Sequence, residues 1–179
     1  MKKMVLSAVF CIVMGLLASA QTEKGNWLAG GNVLLNTAKN DTRIMFTPSV
    51  GYFFANNLAA GANVSLDYSK TGTSRSTTWG IGPFARYYFG AANVRPLVHG
   101  NIDFTSTKTK VAGVSNTFTG TNYFLGAGLA AFINRSVALE GLAGYSHTAF
   151  EHQEGTGGFQ LKVGFQVYLS RMQVANVTR

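Results

Sequence analysis

The segment that most limits what this chain can fold into lies near its C-terminus, where Gly158 to Leu169 reads GFQLKVGFQVYL. Phe159, Leu161, Val163, Phe165, Val167 and Leu169 fall on one side of an extended backbone, and Gln160, Lys162, Gly164, Gln166 and Tyr168 on the other. Side chains alternate with a period of two along a strand, so this pattern specifies one apolar and one polar face. A tilted strand crosses a bilayer in about 9–11 residues, and the segment is long enough to do so. It would serve equally as a strand of a soluble sandwich or lipocalin-like barrel. The segment alone does not separate the two.

Seven further runs upstream carry the same period. Their apolar faces hold Trp27, Val33 and Leu35; Ile44, Phe46, Val50, Tyr52 and Phe54; Leu58, Val64, Leu66 and Tyr68; Trp79, Ile81, Tyr87 and Phe89; Val98, Ile102 and Phe104; Tyr123, Leu125, Leu129 and Ile133; and Val137, Leu139 and Tyr145. The connections alternate. Those at 55–57, 90–94 and 134–136 are tight, whereas those at 37–42, 70–77, 106–120 and 148–157 are longer and polar. Barrels of bacterial outer membranes show this asymmetry, with short turns on one side and long loops on the other.

Aromatic residues cluster at the two ends of the runs. Trp27, Tyr52, Phe54, Tyr87, Phe89, Phe132 and Tyr168 fall on the turn side. Phe46, Tyr68, Trp79, Phe104, Tyr123, Tyr145 and Phe159 fall on the loop side, with Ala, Val, Leu, Ile and Gly between. Two aromatic girdles around an apolar band are expected at two membrane–water interfaces. A soluble barrel would turn its apolar residues inward. The pattern therefore specifies an all-β, eight-stranded antiparallel up-and-down transmembrane β-barrel over 21–169, with both termini on the turn side. Pro48 and Pro83 fall inside two of the runs. A closed barrel has no free edge for a residue without an N–H, so a bulge or local ladder break is expected at each.

Ahead of the barrel, residues 1–20 read MKKMVLSAVFCIVMGLLASA. Two lysines, a short apolar core and a small-residue A-x-A site specify a cleaved export signal; the alternative, an N-terminal membrane anchor, calls for a longer apolar stretch. The one cysteine, Cys11, lies in this leader after Phe10, where a lipid-anchored leader needs a small residue. The mature chain would thus hold no disulfide and no cysteine metal site. Loss of Lys2 and Lys3 leaves 13 basic against 7 acidic residues, a formal charge of +6. Such a surface suits anionic lipid headgroups or nucleic acid, and the scatter of single basic residues argues against nucleic acid. Residues 170–179 make a short polar tail, expected in the periplasm.

Eight strands enclose a lumen that side chains can fill. Arg86 and Glu140 should face inward at similar depth near the turn side and, with Asp67, Asp103, His99 and Lys162, form a network of mutually satisfied charges. Its two readings are a proton or ion path and plain packing with charge balance. Catalytic chemistry has one candidate cluster, Ser146, His147, Thr148, Glu151, His152 and Glu154. Ser146 and His147 are adjacent and should point to opposite faces, which defeats nucleophile activation. The histidines and glutamates lack metal-ligand spacing, and the glycines at 155, 157 and 158 precede a strand where a phosphate loop would precede a helix. No enzyme activity and no cofactor is expected.

The girdles, the turn PSVGYFFANNLAAGANVSLDYS (Pro48 to Ser69) and the terminal KVGFQVYL (Lys162 to Leu169) together resemble the small outer-membrane β-barrel superfamily. The likeness is to the outer membrane protein X and outer membrane protein A membrane-domain type, in its Bacteroidetes form, and spans Asn26 to Leu169. It implies a Gram-negative outer membrane, contact with lipid and lipopolysaccharide, and a monomer with a structural, surface-interaction or adhesion role. A narrow pore is the alternative, and a lipid-modifying enzyme a further one. The lipid A deacylase barrels carry a His followed two residues later by a Ser, but that position here is Ala149. The resemblance also implies that Lys162, Gly164, Val167 and Leu169 form the signal read by the barrel-assembly machinery after passage with periplasmic chaperones. The strand departs from that pattern in lacking a terminal Phe and in having residues 170–179 after it.

Overall fold

The period-two runs become eight strands: β1 (Trp27–Ala38), β2 (Asp41–Ala55), β3 (Leu58–Thr71), β4 (Ser74–Tyr88), β5 (Val94–Val111), β6 (Val114–Phe132), β7 (Val137–Phe150) and β8 (Gln153–Leu169). This computed structural model describes residues 22–38, 41–72, 74–111, 114–150 and 153–170. Residues 1–21 with Cys11, the residues Glu151 and His152, and residues 171–179 lie outside the described residues. Each strand pairs antiparallel with the next, and β1 pairs with β8 from Trp27↔Leu169 to Val33↔Val163, closing the barrel. Over that span closure pairs the first and last strands, the condition for a sheet in hydrocarbon, while residues 34–38 of β1 and 153–162 of β8 pair only with β2 and β7.

The apolar faces point out. Phe159, Leu161 and Leu125 are 89 %, 75 % and 72 % exposed, while Arg86, Glu140 and Gln166 are almost wholly buried inside. That distribution is the reverse of a water-soluble barrel.

The interior is less uniformly polar than the alternation implies. Leu28, Phe53, Ala59, Phe84, Tyr88, Leu97, Ala130, Ala138, Leu142 and Tyr168 form a buried core in its turn-side half. The long polar connections also prove to be mostly strand. β5 and β6 stay paired from Val94↔Ala131 out to Val111↔Val114, through residues read as a loop. Threonine is a good strand former, and its hydroxyl can bond across the pair. Thr78 and Thr107 do so at 2.8 Å, and Ser76 and Thr109 at 3.3 Å. The two sides of the barrel therefore differ in how far paired ribbon extends beyond the apolar band.

Pro48 and Pro83 break the ladder without a bulge. The β1–β2 pairing runs through Gly31↔Pro48, whereas β2–β3 pairing lapses between Phe46↔Leu66 and Ser49↔Asn63 and resumes in register. The β3–β4 pairing runs through Ala62↔Pro83, and β4–β5 lapses between Ile81↔Phe104 and Phe84↔Asn101, again in register. In an antiparallel strand a residue's N–H and C=O face the same neighbour, so a proline is felt on one side only. Register shifts occur elsewhere, at Phe53/Ala55 and Thr148/Phe150.

Candidate functional site

Inward side chains fill the barrel in layers. At the turn-side end the segment Thr22–Asn26 folds back under the strands. The Gly25 N–H donates to the Phe53 carbonyl at 2.8 Å and the Asn57 N–H to the Thr22 carbonyl at 2.7 Å. Asn57 holds a left-handed backbone (φ 65°), which asparagine tolerates in a tight turn. Arg95, 1 % exposed, donates to Thr22 Oγ1 at 2.6 Å and to the Ala92 carbonyl at 2.9 Å, and lies 4.6 Å from the Phe132 ring centroid. A guanidinium in this setting combines directed bonds with a cation–π contact.

Above this stopper sits the buried ion pair. Arg86 Nη1 on β4 lies 2.7 Å from Glu140 Oε2 on β7. The hydroxyls of Tyr88 and Tyr168 both donate to Glu140 Oε1, at 3.0 and 3.1 Å, and Tyr168 approaches Tyr88 at 2.9 Å. Arg86 Nε donates to His99 Nδ1 at 3.2 Å. Phe53 packs against Tyr88 and Tyr168 with ring centroids 6.0 and 6.1 Å apart. The charges are thus paired, hydrogen-bonded and walled by aromatic rings, the conditions under which a buried ion pair is tolerated.

The third layer holds Asp103, which accepts from Asn63 Nδ2 and Asn101 Nδ2, each at 2.7 Å. Lys162 Nζ lies 3.6 Å from the Phe124 ring centroid. Asp103 and Lys162 floor a cup of about 630 Å³ that opens to the loop side and is walled mainly by Ser and Thr side chains, with Met45 and Phe150 among them. Near its mouth Arg43 and Asp67 pair at 2.6 Å.

The six residues expected in one inward network divide among these layers. Arg86, Glu140 and His99 meet in the sealed layer, Asp103 and Lys162 line the cup floor, and Asp67 is taken by Arg43. The asparagines, the tyrosines and Arg95 were not expected there. Tyr88 and Tyr168 carry a visible signal, since both fall on inward positions of their strands.

Tyr168 does not join the outward aromatics. Grouped with the girdle aromatics at the strand ends, it is in fact 2 % exposed and turned into the core. Position near a strand end marks depth, whereas strand parity decides face. Its even number in β8 sends it inward with Lys162 and Gln166. Phe132 is likewise inward, 5.0 Å from Tyr168 ring to ring.

Trp27, Tyr52, Phe54, Tyr68, Trp79, Tyr87, Phe89, Phe104, Tyr123, Tyr145 and Phe159 all face out and are exposed. Edge-to-face pairs join Trp27 to Tyr52, Tyr87 to Phe89 and Tyr145 to Phe159. Lys162 and Gly164 face inward on β8, and Val167 and Leu169 outward. Ser146 is buried and accepts from Asn122 Nδ2 at 2.9 Å, while His147 lies on the opposite face of β7 against Gly155 and Gly157. Among the described residues no three His, Cys, Asp or Glu side chains gather as a metal site would require.

Solved barrels of outer-membrane proteins share this fold. Neisserial surface protein A superposes with a TM-score of 0.60 at 17% identity, covering 80% of this chain and 97% of its own. The N-terminal β-barrel domain of Pseudomonas aeruginosa OprF gives 0.56 at 14% identity, covering 82% and 98%. The outer membrane protein OprG of the same species gives 0.50 at 9% identity, covering 84% and 99%. No curated protein shows significant sequence similarity to the chain. The sequence model described as "Outer membrane protein beta-barrel domain" matches residues 6–171. With an inside-out closed barrel of eight strands behind that match, the chain belongs to the outer membrane protein β-barrel domain family.

Proposed function

We propose that this protein is a non-conducting, non-catalytic barrel of the outer membrane whose loop-side ribbons and outer wall serve a structural or surface-contact role. The observation that carries the reading is the seal. Arg86, Glu140, Tyr88, Tyr168, Phe53 and the Thr22–Asn26 segment occupy the turn-side half with every named charge paired, so the cup ends blind. An ion entering the cup would have to strip its hydration to pass this layer. The exposed aromatics would sit at the two membrane interfaces, and residues 1–20 would be removed on export. Lys162, Gly164, Val167 and Leu169 would guide insertion by the assembly machinery after periplasmic chaperones deliver the chain. A monomer in lipid and lipopolysaccharide satisfies the outer wall with no partner chain.

Planar-bilayer recording on the refolded protein tests the seal. The expected trace lacks stable open steps for the wild type, and a persistent nanosiemens conductance sinks the reading in favour of a pore. Loss of lipid A acyl groups in cells expressing the wild type but not His147→Ala would select an enzyme instead.

A further inference from the structure

Lys70, Arg75 and Lys110 occupy one cross-strand row, Lys70↔Arg75 between β3 and β4 and Arg75↔Lys110 between β4 and β5. Lys108, opposite Thr77, stands one step nearer the apolar band. Strand parity puts all four on the outer wall. Their outward neighbours below are Tyr68, Trp79 and Phe104, whereas Ser69, Thr71, Ser76, Thr78, Thr105 and Thr107 line the cup. All four cations are exposed, and none forms an ion pair with a carboxylate among the described residues.

Like charges in directly opposed cross-strand positions repel. Nothing on the outer face of the adjoining strands offsets this, because Lys70 pairs laterally with Thr42, Lys108 with Thr117 and Lys110 with Ser115. The nearby acids Asp41 and Asp67 belong to the cup wall. With strands about 4.8 Å apart and about 6.8 Å between same-face residues, the four charges cover roughly 10 by 7 Å. They stand one to three same-face steps beyond Tyr68, Trp79 and Phe104, which in the outer-membrane reading is the side of the lipid headgroups, and as outward residues they point sideways from the wall.

We propose that this basic row is a docking site for the phosphorylated sugar headgroup of an outer-leaflet glycolipid, whose acyl chains lie against the apolar wall below. The proposal rests on the outer-membrane reading above and adds the lipid class and its site. A phosphate accepts charge-assisted bonds from several cations at once, and the hydroxyls of Thr77, Thr117 and Ser115 border the row. The sideways aim of the row favours a membrane lipid over a soluble polyanion, which would approach from above the ribbons. The row also gives the barrel one distinct azimuth at which to hold lipid.

The test uses the full mature barrel in neutral detergent, carrying Trp27→Phe so that fluorescence reports Trp79 alone, with native mass spectrometry as the second readout. The titrants are diphosphoryl lipid A, the same lipid A without phosphates, inorganic phosphate and a short heparin fragment. Diphosphoryl lipid A is expected to bind at least about tenfold more tightly than its dephosphorylated form. The double variant Arg75→Gln/Lys110→Gln should lose about tenfold or more, the scale set by two cations facing anionic lipid, while Arg135→Gln at the turn end should not change. Equal binding of the two lipid A forms, or no loss in the double variant, overturns the site. Inorganic phosphate competing at equal affinity, or heparin binding more tightly, overturns the lipid as occupant. Membrane fractionation and heat-modifiability of the double variant separate these results from a failure of the outer-membrane reading, which would show as unfolded or non-membrane protein.

Discussion

Arg86 and Glu140, three strands apart around the wall, meet inside the barrel at 2.7 Å with both side chains fully withdrawn from solvent. Each neutralises a charge that would otherwise be stranded in the core. Removing one partner costs about 3–5 kcal/mol in such sites, more than replacing the pair by apolar residues of similar volume. Arg86→Met and Glu140→Leu singly should each lower the urea midpoint of the barrel in lipid vesicles. The double variant should recover part of that loss. Additive losses in the double variant would mean that the pair is not energetically coupled.

Tyr168 is tied to the same carboxylate. Tyr168→Phe deletes the donor to Glu140 and the contact with Tyr88 while keeping the ring that packs on Phe53 and Phe132. Two buried hydrogen bonds at roughly 1 kcal/mol each set the expected destabilisation at about 1–3 kcal/mol. Vesicle-based urea titration checks it. An outward-facing tyrosine such as Tyr145, exposed on the outer wall, should tolerate the same change within about 0.5 kcal/mol.

Gly82 sits beside Pro83 where the β4–β5 ladder lapses, and a Cβ there would collide with the Ile102 carbonyl oxygen. The neighbour is backbone, so it cannot rotate away. Gly82→Ala should abolish or strongly reduce the heat-modifiable folded band. Gly141→Ala, where a Cβ would meet nothing within 4 Å, should fold as the wild type does.

Arg95 holds the N-terminal segment under the barrel. Arg95→Ala removes the bond to Thr22 and the stacking on Phe132. Amide exchange should accelerate at residues 22–26 and leave the β4 and β7 amides near Arg86 and Glu140 protected. Unchanged protection of the segment would mean that its backbone bonds to Phe53 and Asn57 suffice.

The two tryptophans of the chain, Trp27 and Trp79, lie on the turn and loop sides of the apolar band. In single-tryptophan variants Trp27→Phe and Trp79→Phe, lipids brominated near the headgroup should quench the remaining indole more than lipids brominated at the chain ends. Stronger quenching from the bilayer centre at either residue would displace that interface.

Much of this barrel is legible in the primary structure because alternation is a local property. The period of two assigns each side chain a face with no knowledge of its neighbours, and eight such runs with girdled ends leave an inside-out closed sheet as the consistent solution. The same parity carried the inward placement of Arg86, Glu140 and Lys162. It also contained the answer for Tyr168, which strand-end position obscured.

Partner choice was decided only in three dimensions. Which cation meets which carboxylate depends on strand tilt and stagger around the closed wall, so Asp67 goes to Arg43 and Asp103 to two asparagines. The reach of paired ribbon through residues 106–111 and 114–120, and the in-register lapses at the two prolines, likewise follow from cross-strand contacts between residues distant in the chain. Alternation along one strand determines which way a side chain points; only closure of all eight determines what it finds there.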